Sequence, residues 1–285
     1  MDINTANGSL ITQAMPEMTE AEYHKLAALI YKVSGISLKD SKQALLTSRL
    51  SGVLAQSGRK NFTEYYNSLI ADTSGASVAA LVDRITTNHT YFMREPAHFY
   101  LFRDTVLPYL QKTVADRDLR IWSAACSSGE EPYTLAMILD EFFDINKSRW
   151  DCKVLATDLS EKVLREGMQG IYSKERIEPL PALWKQKYLK RLPDGRYEII
   201  DRIKQEVIFR RFNLIDAVYP FKRKFHVIFC RNVMIYFDAD TRNAVVQKMY
   251  DMTEPGGYLF IGHSEAIDRT KSNYKYVLPA VYRKI

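Results

Sequence analysis

Apolar residues in the first quarter of the chain recur every three or four positions. Leu26, Leu29, Ile30 and Val33 follow a capping-box pair, Thr19 and Glu22, and predict a helix that Gly35 ends. The same spacing predicts helices from about Asp40 to Gln56, after Asn61 (Tyr65, Leu69, Ile70) and after Gly75 (Val78, Leu81, Val82, Ile85). These short helices predict a small all-α domain over residues 19–88. Residues 1–18 carry no periodic pattern and read as a flexible tail.

From residue 89 the period changes. Pro96 suits the first turn of a helix that ends near Leu110. Leu119–Trp122, Cys152–Thr157, Phe225–Cys230 and Gly257–Ile261 are short apolar runs of strand length. Helical patterns begin at Glu130, Ser160 and about Asp240 between them. Alternating strand and helix predict a parallel sheet in an α/β domain over 89–285. The alternation breaks over about 171–212. There Trp184 and Tyr188 mark a helical patch, and Asp194-Gly195 is a hairpin signal. Tyr197–Ile200 and Val207–Phe209 are rich in β-formers. This predicts a small insertion with antiparallel strands in the α/β domain. Tyr274–Tyr282 is expected to form a last edge strand.

Composition excludes several alternatives without altering that outline. Hydrophobic residues make up 46% and charged residues 26% of 285, ordinary values for a globular protein. Charge interrupts every apolar stretch well before the length needed to span a bilayer, so no membrane insertion is expected. The first Lys or Arg is Lys25, so the start lacks a signal peptide's basic end, and a cytoplasmic location is expected. Cys126, Cys152 and Cys230 lie far apart without a CxxC pair. His24, His89, His98, His226 and His263 form no HxxxH, so neither a disulfide framework nor a metal site is expected. The net charge, 40 − 34 = +6, admits an acidic partner. No basic platform interleaved with aromatic residues is evident, and nucleic acid is not expected as a partner.

Ligands of an open parallel sheet bind beyond the C-terminal ends of its strands, so the residues after each strand are the candidates. Ser123–Gly129 is a run of small residues that lets a ligand approach the backbone, and Glu130 and Glu131 open the next helix. The loop lacks both GxGxxG and the Lys of a phosphate-binding loop. Its two carboxylates suit an ammonium group better than a phosphate. Asp158 ends the next strand, where an acidic residue accepts hydrogen bonds from ribose hydroxyls. A nucleoside that carries an amine and lacks phosphate points to S-adenosylmethionine. Arg231 and Asn232 interrupt an apolar run at a strand end and require polar partners. Thr86–Glu95 alternates polar and aromatic groups between the two domains.

Together these segments resemble the chemotaxis receptor methyltransferases, the CheR family. The resemblance rests on ITTNHTYFMREPAHF, RIWSAACSSGEEPYTLAMIL, VLATDLSEKVLREGMQGIY, FRRFNL, FHVIFCRNVMIYFD and GGYLFIGHSE. GEEPY and CRNVMIYF are its specific parts. It implies a class I S-adenosylmethionine-dependent methyltransferase that esterifies glutamate side chains of chemoreceptors and releases S-adenosylhomocysteine. It also implies an all-α domain before a Rossmann-like α/β domain with a small inserted antiparallel β-subdomain. Asn88, Thr90, Arg94, Glu131, Asp158, Asn213, Leu214, Arg231 and Asn232 match cofactor-binding positions. Glu131 is then expected at the amino group, with Glu130 as its alternative, and Asp158 at the ribose. Arg94 and Tyr236 match positions that serve methyl transfer. Lys42, Arg49, Arg59 and Lys60 lie where the family faces acidic receptor helices. The β-subdomain, with 11 basic and 6 acidic residues from Lys174 to Arg211, is where some members dock a receptor C-terminal peptide. The alternatives are a class I methyltransferase acting on RNA or a small molecule, and a non-catalytic module that binds S-adenosylmethionine.

Overall fold

The capping box at Thr19 and Glu22 forms, and the helix it opens is the first of four around one apolar cluster. The computed structural model describes residues 17–285. Its helical domain comprises α1 (Glu20–Ser34), α2 (Gln43–Gln56), α3 (Phe62–Ala71) and α4 (Ala76–Ile85). Residues 1–16 of the expected tail lie outside the described residues. Met18 does not belong to a tail: it is buried in the helical core, and its carbonyl accepts a hydrogen bond from Gln43 Nε2 at 2.7 Å. Gly35 ends α1 with φ 73°, in the left-handed region. A Cβ there would lie 2.5 Å from Ile215 Cγ2, so only glycine lets this turn seat against the second domain.

A non-helical segment leads to α5 (Pro96–Leu101), which continues through a π-helical stretch, Phe102–Val106, into α6 (Leu107–Thr113). The α/β domain then runs β1 (Ile121–Ala124), α7 (Glu130–Phe143), β2 (Val154–Asp158) and α8 (Glu161–Gln169). The insertion contributes β3 (Ile171–Tyr172), α9 (Lys174–Ile177), α10 (Ala182–Tyr188), β4 (Leu189–Arg191) and β5 (Tyr197–Ile199). After it come α11 (Asp201–Lys204), β6 (Val207–Arg211), β7 (Phe225–Cys230), α12 (Ala239–Asp251), β8 (Thr253–Ile261), β9 (Lys275–Leu278) and β10 (Val281–Arg283).

The main sheet has the order β6-β2-β1-β7-β8-β10-β9. Its first five strands are parallel, and β10 is antiparallel to both neighbours. The central strands are covered on both faces, which is why β7 reads as an apolar run broken only by His226 near its start. Strand order turns back between β1 and β7, where ligands of such sheets bind. Ala124 is level with both Thr157 and Cys230, so the loops after β1, β2 and β7 emerge together.

Two strand expectations require correction. Val207–Phe209 does not join the insertion. It lies in β6, the parallel edge strand beside β2, in register from Val154–Val207 to Asp158–Arg211. The antiparallel insertion sheet is β3-β5-β4, and Asp194-Gly195 turns β4 into β5. A run of β-formers states that a strand forms but not which sheet receives it. The expected single strand over Tyr274–Tyr282 is a hairpin, β9 and β10, with β10 inserted between β8 and the edge.

Candidate functional site

A cavity of about 510 Å³ opens where the loops after β1, β2 and β7 meet. All ten expected site residues line it: Asn88, Thr90, Arg94, Glu131, Asp158, Asn213, Leu214, Arg231, Asn232 and Tyr236. The helical domain supplies the opposite wall through Ser34, residues 36–39, Lys42, Leu45 and Arg49. Three contacts hold that wall in place: Ser37 N–H donates to the Tyr236 carbonyl (2.9 Å), Asn213 Nδ2 donates to the Val33 carbonyl (2.9 Å), and Ile36 bridges to Phe237. The contribution of residues 36–39 escapes sequence inspection, because nothing local distinguishes Ser37 or Lys39 from other loop residues.

The loop after β1 is held mainly by main-chain hydrogen bonds. Cys126 N–H donates to the Thr157 carbonyl (2.8 Å) and Ser127 N–H to Asp158 Oδ2 (2.9 Å). Ser160 N–H donates to Asp158 Oδ1 (3.0 Å), so the carboxylate is shared between two loops. Burial pushes the Asp158 carboxyl above its ordinary value, against the pull of these N–H groups. Ser127 Oγ also bonds the Asn88 carbonyl (3.0 Å), which ties the interdomain segment to this loop.

The adjacent glutamates separate completely. Glu130 is 0% exposed, forms an ion pair with Arg176 and accepts from Ser128 Oγ at 3.0 Å. Glu131 points to the cavity, accepts from Ser123 Oγ (2.7 Å) and pairs with Arg231 Nη1 (2.8 Å). Successive helix positions differ by about 100° around the axis, so one glutamate faces the insertion and the other the site.

The turn after β7 is held by acidic side chains from distant segments. Arg231 is buried between Glu131 and Glu95, 3.1 Å from Glu95 Oε2, and also bonds the Arg94 carbonyl. Its guanidinium lies 5.3 Å from the Phe99 ring centre. Asn232 adopts φ 58° and donates from Nδ2 to Glu95 Oε1 at 3.2 Å. Burial raises the Glu95 carboxyl, but Arg231 and the N–H donors outweigh it and hold the group below its ordinary value. Arg94 Nη1 donates to the His89 carbonyl at 2.8 Å. Tyr236 sits half-buried in a 3₁₀ turn, Met234–Tyr236. Glu95 and Glu265 hold this turn without being among the expected site residues. Both stand in motif segments, EPAHF and GHSE, but neither segment reveals which strand end it will meet.

Glu95, His98 and His263 bring three ligand-type atoms within 4.8 Å of one another. Arg231 already occupies Glu95 Oε2, so a divalent cation there would face a fixed guanidinium. Burial pushes the His98 imidazole down to about 3, with Arg231 adding to the effect.

The donor set fits an aminated nucleoside better than a nucleotide phosphate. Two carboxylates line the cavity, Glu131 from the first turn of α7 and Asp158 from the end of β2, and Arg231 is neutralised by Glu95 and Glu131. The remaining cationic groups, Lys39, Lys42, Arg49 and Arg94, line the wall formed by the helical domain and the interdomain segment. Arg49 is partly committed, to the Ile85 carbonyl and to Thr87 Oγ1 at 2.9 Å. Arg59 and Lys60 do not reach the cavity. No helix among the described residues is long and apolar enough to cross a membrane.

Comparison with known proteins agrees with this architecture. Residues 88–282 match the CheR methyltransferase SAM-binding domain, and residues 21–86 match the CheR methyltransferase all-alpha domain. The chain is 45% identical over 270 residues to a chemotaxis protein methyltransferase of Borreliella burgdorferi, covering 94% of this chain and 95% of the relative. It is 34% identical over 269 residues to the chemotaxis protein methyltransferase of Escherichia coli, covering 93% and 91%. The solved structure of magnesium protoporphyrin IX methyltransferase from Synechocystis with bound SAH overlaps 70% of this chain and 65% of its own. That overlap has 14% identity and a TM-score of 0.31, too distant to inform the site.

Proposed function

The chain belongs to the CheR family of chemotaxis methyltransferases, and on that premise we propose that it converts glutamate side chains of chemoreceptors to methyl esters. The observation that carries the reading is the cavity itself. Glu131 and Asp158 face it from one side, and Arg94 and Tyr236 face it from the other segments.

S-adenosylmethionine, when bound, supplies a methyl group on a positively charged sulfur. Glu131 would hold its amino group and Asp158 its ribose hydroxyls. Asn213 and Leu214 would lie by the adenine, with Asn88, Thr90, Arg94, Arg231 and Asn232 completing the enclosure. The acceptor glutamate has an ordinary pKa of about 4.3 and is already an anion at neutral pH, so the reaction needs neither a general base nor a metal. The residues therefore contribute orientation and water exclusion. Arg94 and Tyr236 would align the incoming carboxylate by hydrogen bonds. A clamp too strong would favour the ionised ground state over the transition state. Lys42 and Arg49 offer positive charge at the cavity wall to an acidic receptor helix in the cytoplasm. The exposed edge of the insertion sheet is a place for a receptor peptide to add a strand.

The test is incubation with methyl-labelled S-adenosylmethionine and receptor-containing membranes. Label released as methanol by mild alkali from a receptor-sized band is the expected result. Alkali-stable label, or label in RNA, overturns it in favour of another methyltransferase. Cofactor binding without label overturns it in favour of a non-catalytic module.

A further inference from the structure

We propose that Glu265 is a positioning residue for methyl transfer: it accepts hydrogen bonds from the main chain of the turn after β7 and so sets where Asn232 and Tyr236 face the cavity. The proposal rests on the functional reading above. Glu265 itself does not line the cavity, so it acts through the turn.

β8 lies beside β7 in the sheet, so the segment after β8 emerges next to the turn after β7. There the Glu265 carboxylate accepts five backbone N–H groups. Oε2 takes Gly262 (2.6 Å) and Asn232 (2.9 Å). Oε1 takes Val233 (3.0 Å), Met234 (2.7 Å) and Ile235 (3.3 Å). Successive N–H groups at the start of a helical turn have no partners within that turn, and a concave row of them favours an anion. Four of the five donors belong to the turn that bears the reaction-side groups, and Tyr236 follows immediately after them.

The turn requires such a restraint. Asn232 holds φ 58°, a conformation a non-glycine residue keeps only when its surroundings over-determine it. The approach is also close. A Cβ on Gly262 would lie 2.5 Å from Asn232 Nδ2 and 2.9 Å from Asn232 N. Glu95 and Glu265 divide the work between them. Glu95 holds the Arg231 and Asn232 side chains, whereas Glu265 holds main-chain N–H groups of the same turn. Removing Glu265 therefore reshapes the backbone while leaving the Arg231 ion pairs in place. That separates a positioning role from a cofactor contact.

The experiment compares wild type with Glu265→Gln and Glu265→Asp. It measures amide hydrogen exchange over residues 231–237, the Kd for S-adenosylhomocysteine, and kcat for alkali-labile methylation of receptor membranes. In Glu265→Gln an amide group replaces one acceptor oxygen. Exchange at 232–235 is expected to quicken at least tenfold while the sheet strands stay protected. The kcat is expected to fall at least tenfold, with Kd weakened less than threefold, because Asn232 is one of nine residues that would enclose the cofactor whereas Tyr236 is one of two that would align the acceptor. Glu265→Asp keeps the charge on a shorter stem, and partial recovery of kcat is expected. Unchanged exchange in the turn overturns the proposal. So does faster exchange with unchanged kcat, or a Kd that worsens as much as kcat. Failure of both variants to fold also overturns it, because the residue then serves the fold rather than the turn. Absence of receptor methylation by wild type is the separate failure of the functional reading, and loss confined to the variants is not.

Discussion

The loops after β1 and β7 leave the sheet at the same level and face the same cavity, and in each a carboxylate accepts main-chain N–H groups, but the carboxylates come from different distances. The first uses small residues whose main-chain N–H groups bond the adjoining strand end, Cys126 to the Thr157 carbonyl and Ser127 to the Asp158 carboxylate. The second depends on Glu95, from the interdomain segment, and Glu265, from beyond β8. Its outer end is tied to Ser37 of the helical domain. The loop assigned to the cofactor is thus anchored on the neighbouring strand end, with further ties from Asn88 of the interdomain segment and from Tyr172 and Arg176 of the insertion. The turn that carries Tyr236 for the acceptor, beside Arg231 and Asn232 at the cofactor, is supported from three parts of the chain, and its shape depends on all of them.

Arg231→Ala is expected to have the largest effect. It leaves Glu95 and Glu131 facing each other without their cation, and loss of one partner of a buried ion pair costs about 3–5 kcal/mol. Denaturant unfolding measures this. A loss below about 1 kcal/mol, the size of an exposed pair, would mean the turn does not depend on its acidic supports. Asp158→Ala tests the other loop. Hydrogen bonds to a charged group contribute about 1.5–3 kcal/mol, so calorimetry is expected to show the cofactor Kd weakened by about 10-fold to 100-fold. The kcat at saturating cofactor is expected to change much less. An equal loss of kcat would erase the division between the two loops.

Tyr236→Phe is expected to lower kcat about tenfold, the low end of what one hydrogen bond to a charged group contributes, with cofactor Kd within about twofold of wild type. Weaker cofactor binding at unchanged turnover would move Tyr236 to the cofactor side of the comparison.

Acid sensitivity is expected from two imidazoles held neutral by burial. His98 lies beside the β7 turn and is pushed down to about 3; His226, on β7, is pushed down to about 4. Both folded values lie below an unfolded value of about 6.5. The unfolded chain therefore takes up protons first, and stability is full above about pH 6.5 and declines as the pH falls toward 4 and then 3. Thermal unfolding from pH 7 to 5 checks this. His98→Phe is expected to flatten the decline at little cost, because neither His98 ring nitrogen has a hydrogen-bond partner among the described residues. An unchanged slope would exclude His98 as its source.

The smallest effect is expected from Lys42→Glu, at the wall opposite both loops. Receptor methylation should fall about twofold to fivefold at low salt and recover as salt screens the exposed charge. A salt-independent loss would point to a damaged helical domain instead.

Local rules made much of this protein legible. Helix periods, the Thr19 and Glu22 capping box and the short apolar runs specify the elements because each depends on residues a few positions apart. The ten residues that the family resemblance selected share one cavity, although no local rule brings Asn88, Asn213 and Tyr236 together. Only the tertiary structure decided that Val207–Arg211 pairs with β2, since β-forming residues carry no address for their partner strand. It also separated Glu130 from Glu131, because Arg176 lies 46 residues from the first and Arg231 lies 100 residues from the second. Glu95 and Glu265 gain their roles the same way. A carboxylate's partners are set by which donors the fold leaves unpaired beside it, and that is a property of the packed chain rather than of any stretch of it.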